Sequence, residues 1–503
     1  MPTTSHALPA LLGSGQVTDR PDDPALGLEP LALMETAARR AADDAGGGAA
    51  LLAAVDTLAV VTNVFHDYGD TARLLAERLG CRPAHALVTT WGGNMPQSLL
   101  NHLCDEIAAG RTEVALMAGG EAFQTMRALG KAGRTPAWTA PRETDVPRWG
   151  DLRPGTSDLE SQHGAREATV TYALVENAFR AARRQSLADQ RRELGAFGAR
   201  CARVAADNPY AWFRDAKDAE TLVTVAPSNR MVAFPYPKYL NAIMEVNQGA
   251  ALLLASETAA DRLGLPRDRR VYPWAGVDVA ELWFLTERVD YHTLPGMRRA
   301  GQQLLATAGV PFDRIRYLDL YGCFPIAPRL SAAMLGLAPD TERPLTTTGA
   351  LPWFGGPGNN YATHAIAAVA ERLRADRHAL GLVHALGWNF TKHALGLFGG
   401  TPPPHGWQRA GGPELQAWVD ALPHPVLVAQ AEGDATIETY TVVHGRDGGP
   451  ERGVVILRLD ERRRTIAVLP SDASVLESLE RDEGVGRRGH VRFDGTRNVF
   501  DPS

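Results

Sequence analysis

The feature that most constrains this 503-residue chain is a segment pattern that occurs twice. Residues 92–121 read GGNMPQSLLNHLCDEIAAGRTEVALMAGGE, and residues 355–387 read GGPGNNYATHAIAAVAERLRADRHALGLVHALG. Each opens on a Gly/Asn turn and continues as an amphipathic stretch, about 96–109 in the first and 361–375 in the second. Each then breaks at charged or small residues and closes on a short apolar run ending in glycine. Short apolar runs bounded by small residues mark strands buried on both faces, as in the sheets of α/β folds. Two such units in comparable settings predict an internally duplicated α/β chain. Supporting strands are expected at 56–62 (DTLAVVT) and 317–320 (YLDL).

Between the two units lies an irregular stretch, about 124–240, rich in Arg, Trp and Pro. One long helix is expected in it, capped by Ser186 with Asp189 in the first turn. It should stop before Asn208-Pro209, because proline excludes its predecessor from the helical region. The stretch reads as an inserted loop domain. After Pro402-Pro403-Pro404 the texture changes again. Residues 435–444 and 454–459 alternate as strands around Arg446-Asp447-Gly448-Gly449, and 458–468 reads as a further strand pair turning at 460–464. Several short strands in under 100 residues predict a separate small β-barrel, of OB type. The expected organisation is therefore 1–270 for the first half with its inserted loop domain, 271–403 for the second half, and 404–503 for the β-domain.

Composition excludes several function classes. A net charge of -6 offers no basic surface for nucleic acid. The longest apolar runs are far short of the roughly 20 residues that span a bilayer. The start of the chain lacks the basic-then-apolar order of a signal peptide. Cys81, Cys104, Cys201 and Cys323 are widely spaced, so neither a disulfide framework nor a metal site is expected, and a cytoplasmic location follows.

Five segments, in order, resemble the thiolase superfamily, and more narrowly its sterol-carrier-protein branch. EIAAGRTEVALMAGGEA (106–122) is similar to the helix and strand after the nucleophile loop, and EVNQGAALLLASETAADRLG (245–264) to the strand that re-enters the core. YLDLYGCFP (317–325) stands where ordinary thiolases have N-E-A-F and the sterol-carrier branch has H-D-C-F. TGALPWFGGPGNNYATHAIA (348–367) matches the G-H-P-x-G loop, and GLVHALGWNFTKHA (381–394) lies where the closing C-x-G-G-G loop belongs. The C-terminal β-domain resembles that of mycobacterial thiolase-like proteins. The resemblance implies a duplicated thiolase fold (βαβαβαββ twice, in five αβαβα layers) with a loop domain that receives coenzyme A. It implies an acyl-CoA substrate and no tightly bound cofactor. Its chemistry uses one Cys as acyl acceptor, a His as its base, and a second Cys as acid/base, because the thiolate is the nucleophile and an imidazole supplies it at neutral pH.

This chain departs from that set at every reactive position. The nucleophile falls on or next to Gly93, the base on Gly356, and the second Cys near Ala385 or Leu386; the oxyanion Asn/His is Tyr321. Glycine and alanine neither take nor give a proton, so ordinary thiolysis or condensation is expected to be absent. What could still react is Cys323, served by His364, His384 or His393 on the two flanking loops. The competing reading makes Cys323 a buried small apolar residue and His364 a helix-face residue. Asn359 and Asn360 open a helix, where backbone N–H groups can receive an anion, and Gly93-Asn94 do the same in the first unit. Tyr236 and Lys238, with neighbouring aromatics, would suit a nucleotide. In sum, catalytic candidates are Cys323, His364 and His393, and substrate-binding candidates are Tyr321, Asn359, Asn360, Gly93, Asn94, Tyr236 and Lys238. The expected function is an acyl-CoA-dependent acyltransferase or condensing enzyme of altered mechanism. The alternatives are a non-catalytic acyl-CoA or lipid binder, or a subunit that meets a partner protein through the β-domain, as a homodimer or a monomer.

Overall fold

The computed structural model describes residues 7–142 and 146–503. A six-stranded sheet holds β1 (Pro9–Thr18), β2 (Thr57–Val60), β3 (His85–Thr89), β4 (Val114–Ala122), β5 (Arg148–Trp149) and β6 (Asn247–Ser256), in the order β1-β6-β4-β2-β3-β5. A second sheet holds β7 (Tyr272–Ala280), β8 (Ile315–Leu320), β9 (Leu380–Gly387) and β10 (Lys392–Gly399), in the order β8-β9-β10-β7, with Gln408–Arg409 on its outer edge.

Helices α1 (Pro30–Asp44), α2 (Met95–Ala108), α3 (Pro295–Ala308) and α4 (Tyr361–Ala375) complete the layers. Helices α2 and α4, the two duplicated segments, pack on each other between the sheets, while α1 covers the outer face of the first sheet and α3 that of the second. Five layers result, αβαβα. Alternation along β4 shows how a strand serves two cores: Ala115 and Met117 pack inward with Leu99 and Leu103, and Leu116 and Ala118 pack outward with Leu31 and Met34. Because α2 lies in the middle layer, even its polar Gln97 and Asn101 are buried. They bond to each other at 2.9 Å, and Asn101 reaches Asp278 of the second sheet at 3.0 Å.

In the insert, Ser186 caps the helix Leu187–Asp207, whose last residue precedes Asn208-Pro209 as the sequence predicts. At the end of the chain, β11 (Gly433–His444), β12 (Pro450–Arg458), β13 (Arg463–Val468), β14 (Arg488–Phe493) and β15 (Asn498–Pro502) close a five-stranded barrel, each strand pairing in the ring β11-β12-β13-β15-β14-β11. The barrel is stitched to the rest rather than standing apart. Met231–Ala233 of the insert pairs with β11, Asn177 Nδ2 donates to the Tyr440 carbonyl at 2.9 Å, and Arg180 pairs with Glu483. Arg464, the last residue of the turn expected at 460–464, is buried. Its guanidinium donates to the carbonyls of Thr286, Arg288 and Val289 and pairs with Glu438. Among the described residues no helix is long and apolar enough to cross a membrane.

Candidate functional site

The loop from β3 to α2 carries Trp91, Gly92, Gly93 and Asn94. A Cβ added at Gly93 would fall 2.6 Å from the Leu386 carbonyl oxygen and 2.6 Å from Cζ of Tyr321, and closer still to the Tyr321 hydroxyl. The space a nucleophilic side chain would use is therefore filled by the Tyr321 ring, which is held edge-to-face against Tyr361 at 5.2 Å. The base position is tight rather than filled: a Cβ at Gly356 would meet Leu351 at 3.1 Å and the Ile243 carbonyl at 3.2 Å. At the second-cysteine position, Ala385 is sealed in an apolar contact with Ala362 and Ala394.

The two duplicated loops satisfy each other. Asn359 Oδ1 accepts from the Gly92 N–H at 2.9 Å, while its Nδ2 donates to the Thr62 carbonyl at 3.0 Å. Asn360 Nδ2 donates to the Gly119 carbonyl at 2.7 Å, and its Oδ1 accepts from the Thr363 hydroxyl at 2.6 Å. These amides tie the halves of the molecule together, and the Gly92 N–H is already taken.

Cys323 lies in the core beside Tyr172, and among the described residues no histidine nitrogen hydrogen-bonds its sulfur. Burial pushes its thiol up to about 12, against a smaller opposing effect of the Tyr172 hydroxyl. His364 is fully buried; Nδ1 faces Gln16 Oε1 at 2.8 Å, Nε2 has no partner, and burial pushes the ring down to about 3. His384 and His393 form a pair, Nε2 to Nδ1, at 3.0 Å, and His393 Nε2 meets the Phe390 carbonyl at 3.1 Å. A carbonyl only accepts, so His393 Nε2 carries the proton, and His393 Nδ1 then accepts from His384. Burial holds both rings neutral: His384 is pushed down to about 3, and His393, lowered further by His384 and Arg288, lies well below the ordinary value. Among the described residues Cys323, His364 and the His384–His393 pair share no hydrogen bond with one another, so the predicted set forms no catalytic couple. Tyr236 is likewise unavailable to a nucleotide. It is fully buried and donates its hydroxyl to Glu176 at 2.7 Å, whereas Lys238 is exposed on the surface.

An open cavity of about 400 Å³ lies on the other side of the same loop. Asn94 and His393, two of the predicted residues, line it together with Trp149, Asp151, Arg153 and Lys392. Cys323, His364, Tyr321, Asn359, Asn360 and Gly93 do not. Lys392, which sequence reasoning passed over inside TKHA, is 7% exposed and donates to the Trp91 carbonyl at 2.6 Å. Burial pushes its amine down to about 8, with Arg153 adding to the shift and Asp151 opposing it. The one signal for it in the sequence is a lone cation opening the otherwise apolar run KHALGLFG.

A duplicated five-layer αβαβα core with a sealed nucleophile loop defines a thiolase-superfamily protein. Residues 414–496 match the thiolase-like protein type 1 additional C-terminal domain. The monomeric SCP2-thiolase like protein type 1 of Mycobacterium smegmatis superposes with a TM-score of 0.85 at 32% identity, over 99% of both chains. The chain belongs to the SCP2-thiolase-like protein type 1 family. Acetyl-CoA acetyltransferase of Syntrophomonas wolfei shares the core fold (TM-score 0.57, 14% identity, 78% of this chain and 99% of that one). So does human mitochondrial 3-ketoacyl-CoA thiolase in complex with CoA (0.56, 15%, 78% and 98%). No curated protein shows significant sequence similarity to the chain.

Proposed function

We propose that this protein binds an acyl thioester, acyl-CoA or its equivalent on a carrier, at the cavity beside Asn94 and Lys392, and that it has lost thiolase thiolysis and condensation. The observation that carries the reading is the pairing of two facts at one loop. Tyr321 fills the space above Gly93, and an open cavity lies against the neighbouring Asn94. The ligand class is supported by the superfamily's use of that loop to hold an acyl group, and by the CoA complex of the human relative. Coenzyme A enters this reading as part of the ligand and not as a resident cofactor, and the protein acts as a monomer, like its mycobacterial relative. A covalent route through Cys323 finds no base: a thiol near 12 is almost wholly protonated at neutral pH, and no histidine reaches it.

Calorimetric titration with acetoacetyl-CoA, butanoyl-CoA and free CoA, beside a thiolysis assay, tests both halves. Saturable binding of the thioesters without turnover is expected. CoA-dependent cleavage of acetoacetyl-CoA would refute the loss of thiolase chemistry, and absence of binding across the series would refute the ligand class.

A further inference from the structure

The chain carries 52 basic residues, of which only Lys131, Lys217, Lys238 and Lys392 are lysines. Lys131 and Lys238 are exposed and Lys217 is half-buried and paired with Asp215, whereas Lys392 is buried in the wall of the cavity. Its stem runs through space that two glycines leave free. A Cβ at Gly92 would lie 2.8 Å from Nζ, and one at Gly387 would lie 2.9 Å from Cε. The turn that delivers it holds Trp388 and Phe390 at φ of 55° and 59°, left-handed backbone that non-glycine residues rarely adopt. Such strain persists where surrounding structure enforces it, and it collects at ligand sites. The Trp91 carbonyl takes one N–H, and the Trp388 ring stands 5.4 Å from Nζ. An arginine could not substitute: its planar guanidinium stays charged, whereas an amine can become a neutral nucleophile when desolvated.

We propose that Lys392 captures its ligand covalently, forming an imine with the keto group of a 3-oxoacyl thioester bound in this cavity. The proposal rests on the acyl-thioester reading above and names the substrate class within it. The free Nζ lone pair attacks the keto carbon and the C–N bond forms. The former carbonyl oxygen takes up protons, relayed from the amine through water and the Asp151 carboxylate that lines the same cavity. The C–O bond then breaks, water leaves, and the C=N bond remains; no oxidant or further reactant is needed. Burial that pushes the amine down to about 8 raises its free fraction at neutral pH to roughly three hundred times that of an ordinary lysine.

The test is to incubate the full chain with acetoacetyl-CoA and sodium cyanoborohydride, then read intact mass and map modified peptides. The expected product is a gain equal to the substrate less one oxygen, CoA retained, on Lys392. The exposed Lys131 and Lys238 are internal controls, and enrichment at Lys392 over them by roughly the three-hundredfold ratio above is expected. Butanoyl-CoA, which has no keto group, should give no adduct, and Lys392→Met should lose it. Because mapping is done on the wild-type protein, misfolding of the variant does not decide the outcome. An acyl group transferred without CoA, adducts spread over the surface lysines, or no adduct despite calorimetric binding of acetoacetyl-CoA would overturn the imine and leave the binding reading standing. Absence of both adduct and binding would overturn the two together.

Discussion

Tyr321 stands where a side chain on Gly93 would have to stand, with its Cζ 2.6 Å from the position of that missing Cβ. The loss of the nucleophile and the gain of the tyrosine are one packing solution. Reinstalling cysteine at 93 should therefore not restore thiolysis of acetoacetyl-CoA. It should also destabilise the fold by about 1–3 kcal/mol, the usual cost of overpacking. Because the Leu386 carbonyl oxygen also lies 2.6 Å from that Cβ, and truncating the tyrosine opens a cavity of its own, adding Tyr321→Ala to Gly93→Cys should not recover the loss. A single variant with the wild-type denaturation midpoint in urea would show that the space is not filled.

All four cysteines are buried, and burial raises each thiol above its ordinary value. Native protein at pH 7.5 should give almost no reaction with a disulfide reagent, while the denatured chain should release one chromophore per cysteine. Rapid labelling of Cys323 in the native state would revive it as a nucleophile.

Lys392 makes stability depend on pH with a definite sign. Its amine titrates near 8 when folded and near the ordinary lysine value of 10.5 when unfolded. Between those values the unfolded chain holds more protons, so stability rises with pH across that window. The penalty, present in full below about pH 8, is on the order of 3 kcal/mol. Asp151 and Arg153 face the amine, and His393, Asp278, Arg409 and Asp420 line the same cavity. Lys392→Met should remove the rise between pH 8 and 10.5 in denaturation profiles. An unchanged slope would place the amine in solvent.

Arg329 is buried between two carboxylates, with both Glu176 oxygens at 2.9 Å and Glu193 on its other nitrogen. Removing one partner of such a set leaves a charge in the core. Arg329→Met should cost about 3–5 kcal/mol, read as a lowered Tm. Glu176 also accepts from Tyr236, so Tyr236→Phe should lose less, about 1 kcal/mol.

Arg464 joins the barrel to the second half of the core through three carbonyls. Arg464→Ala should leave those carbonyls unpaired and loosen the junction, seen as faster proteolysis around 404–430 with the barrel fragment intact. Cleavage unchanged from wild type would mean that the Asn177 and Arg180 contacts hold the barrel without it.

Much of this molecule was legible before any coordinates. The Gly-loop, helix and strand at 92–121 and 355–387 are local patterns, and their periodicity and small-residue punctuation specify a buried sheet twice over. The Ser186 cap, the stop at Asn208-Pro209 and the 446–449 hairpin are equally local. The absence of Cys and His at Gly93, Gly356 and Ala385 followed from order alone. Tertiary structure decided what those replacements mean. Gly93 and Tyr321 are more than 200 residues apart, so only folding shows that one ring occupies the other's space. The same holds for the lack, among the described residues, of a histidine hydrogen-bonded to Cys323, and for Lys392, which reads in sequence as one cation in an apolar strand. Its meeting with Gly92, Gly387 and the Trp91 carbonyl requires the first and second halves to close on each other. Chain-local propensities select the elements, whereas side-chain chemistry is set by burial and by neighbours that arrive from the far end of the chain.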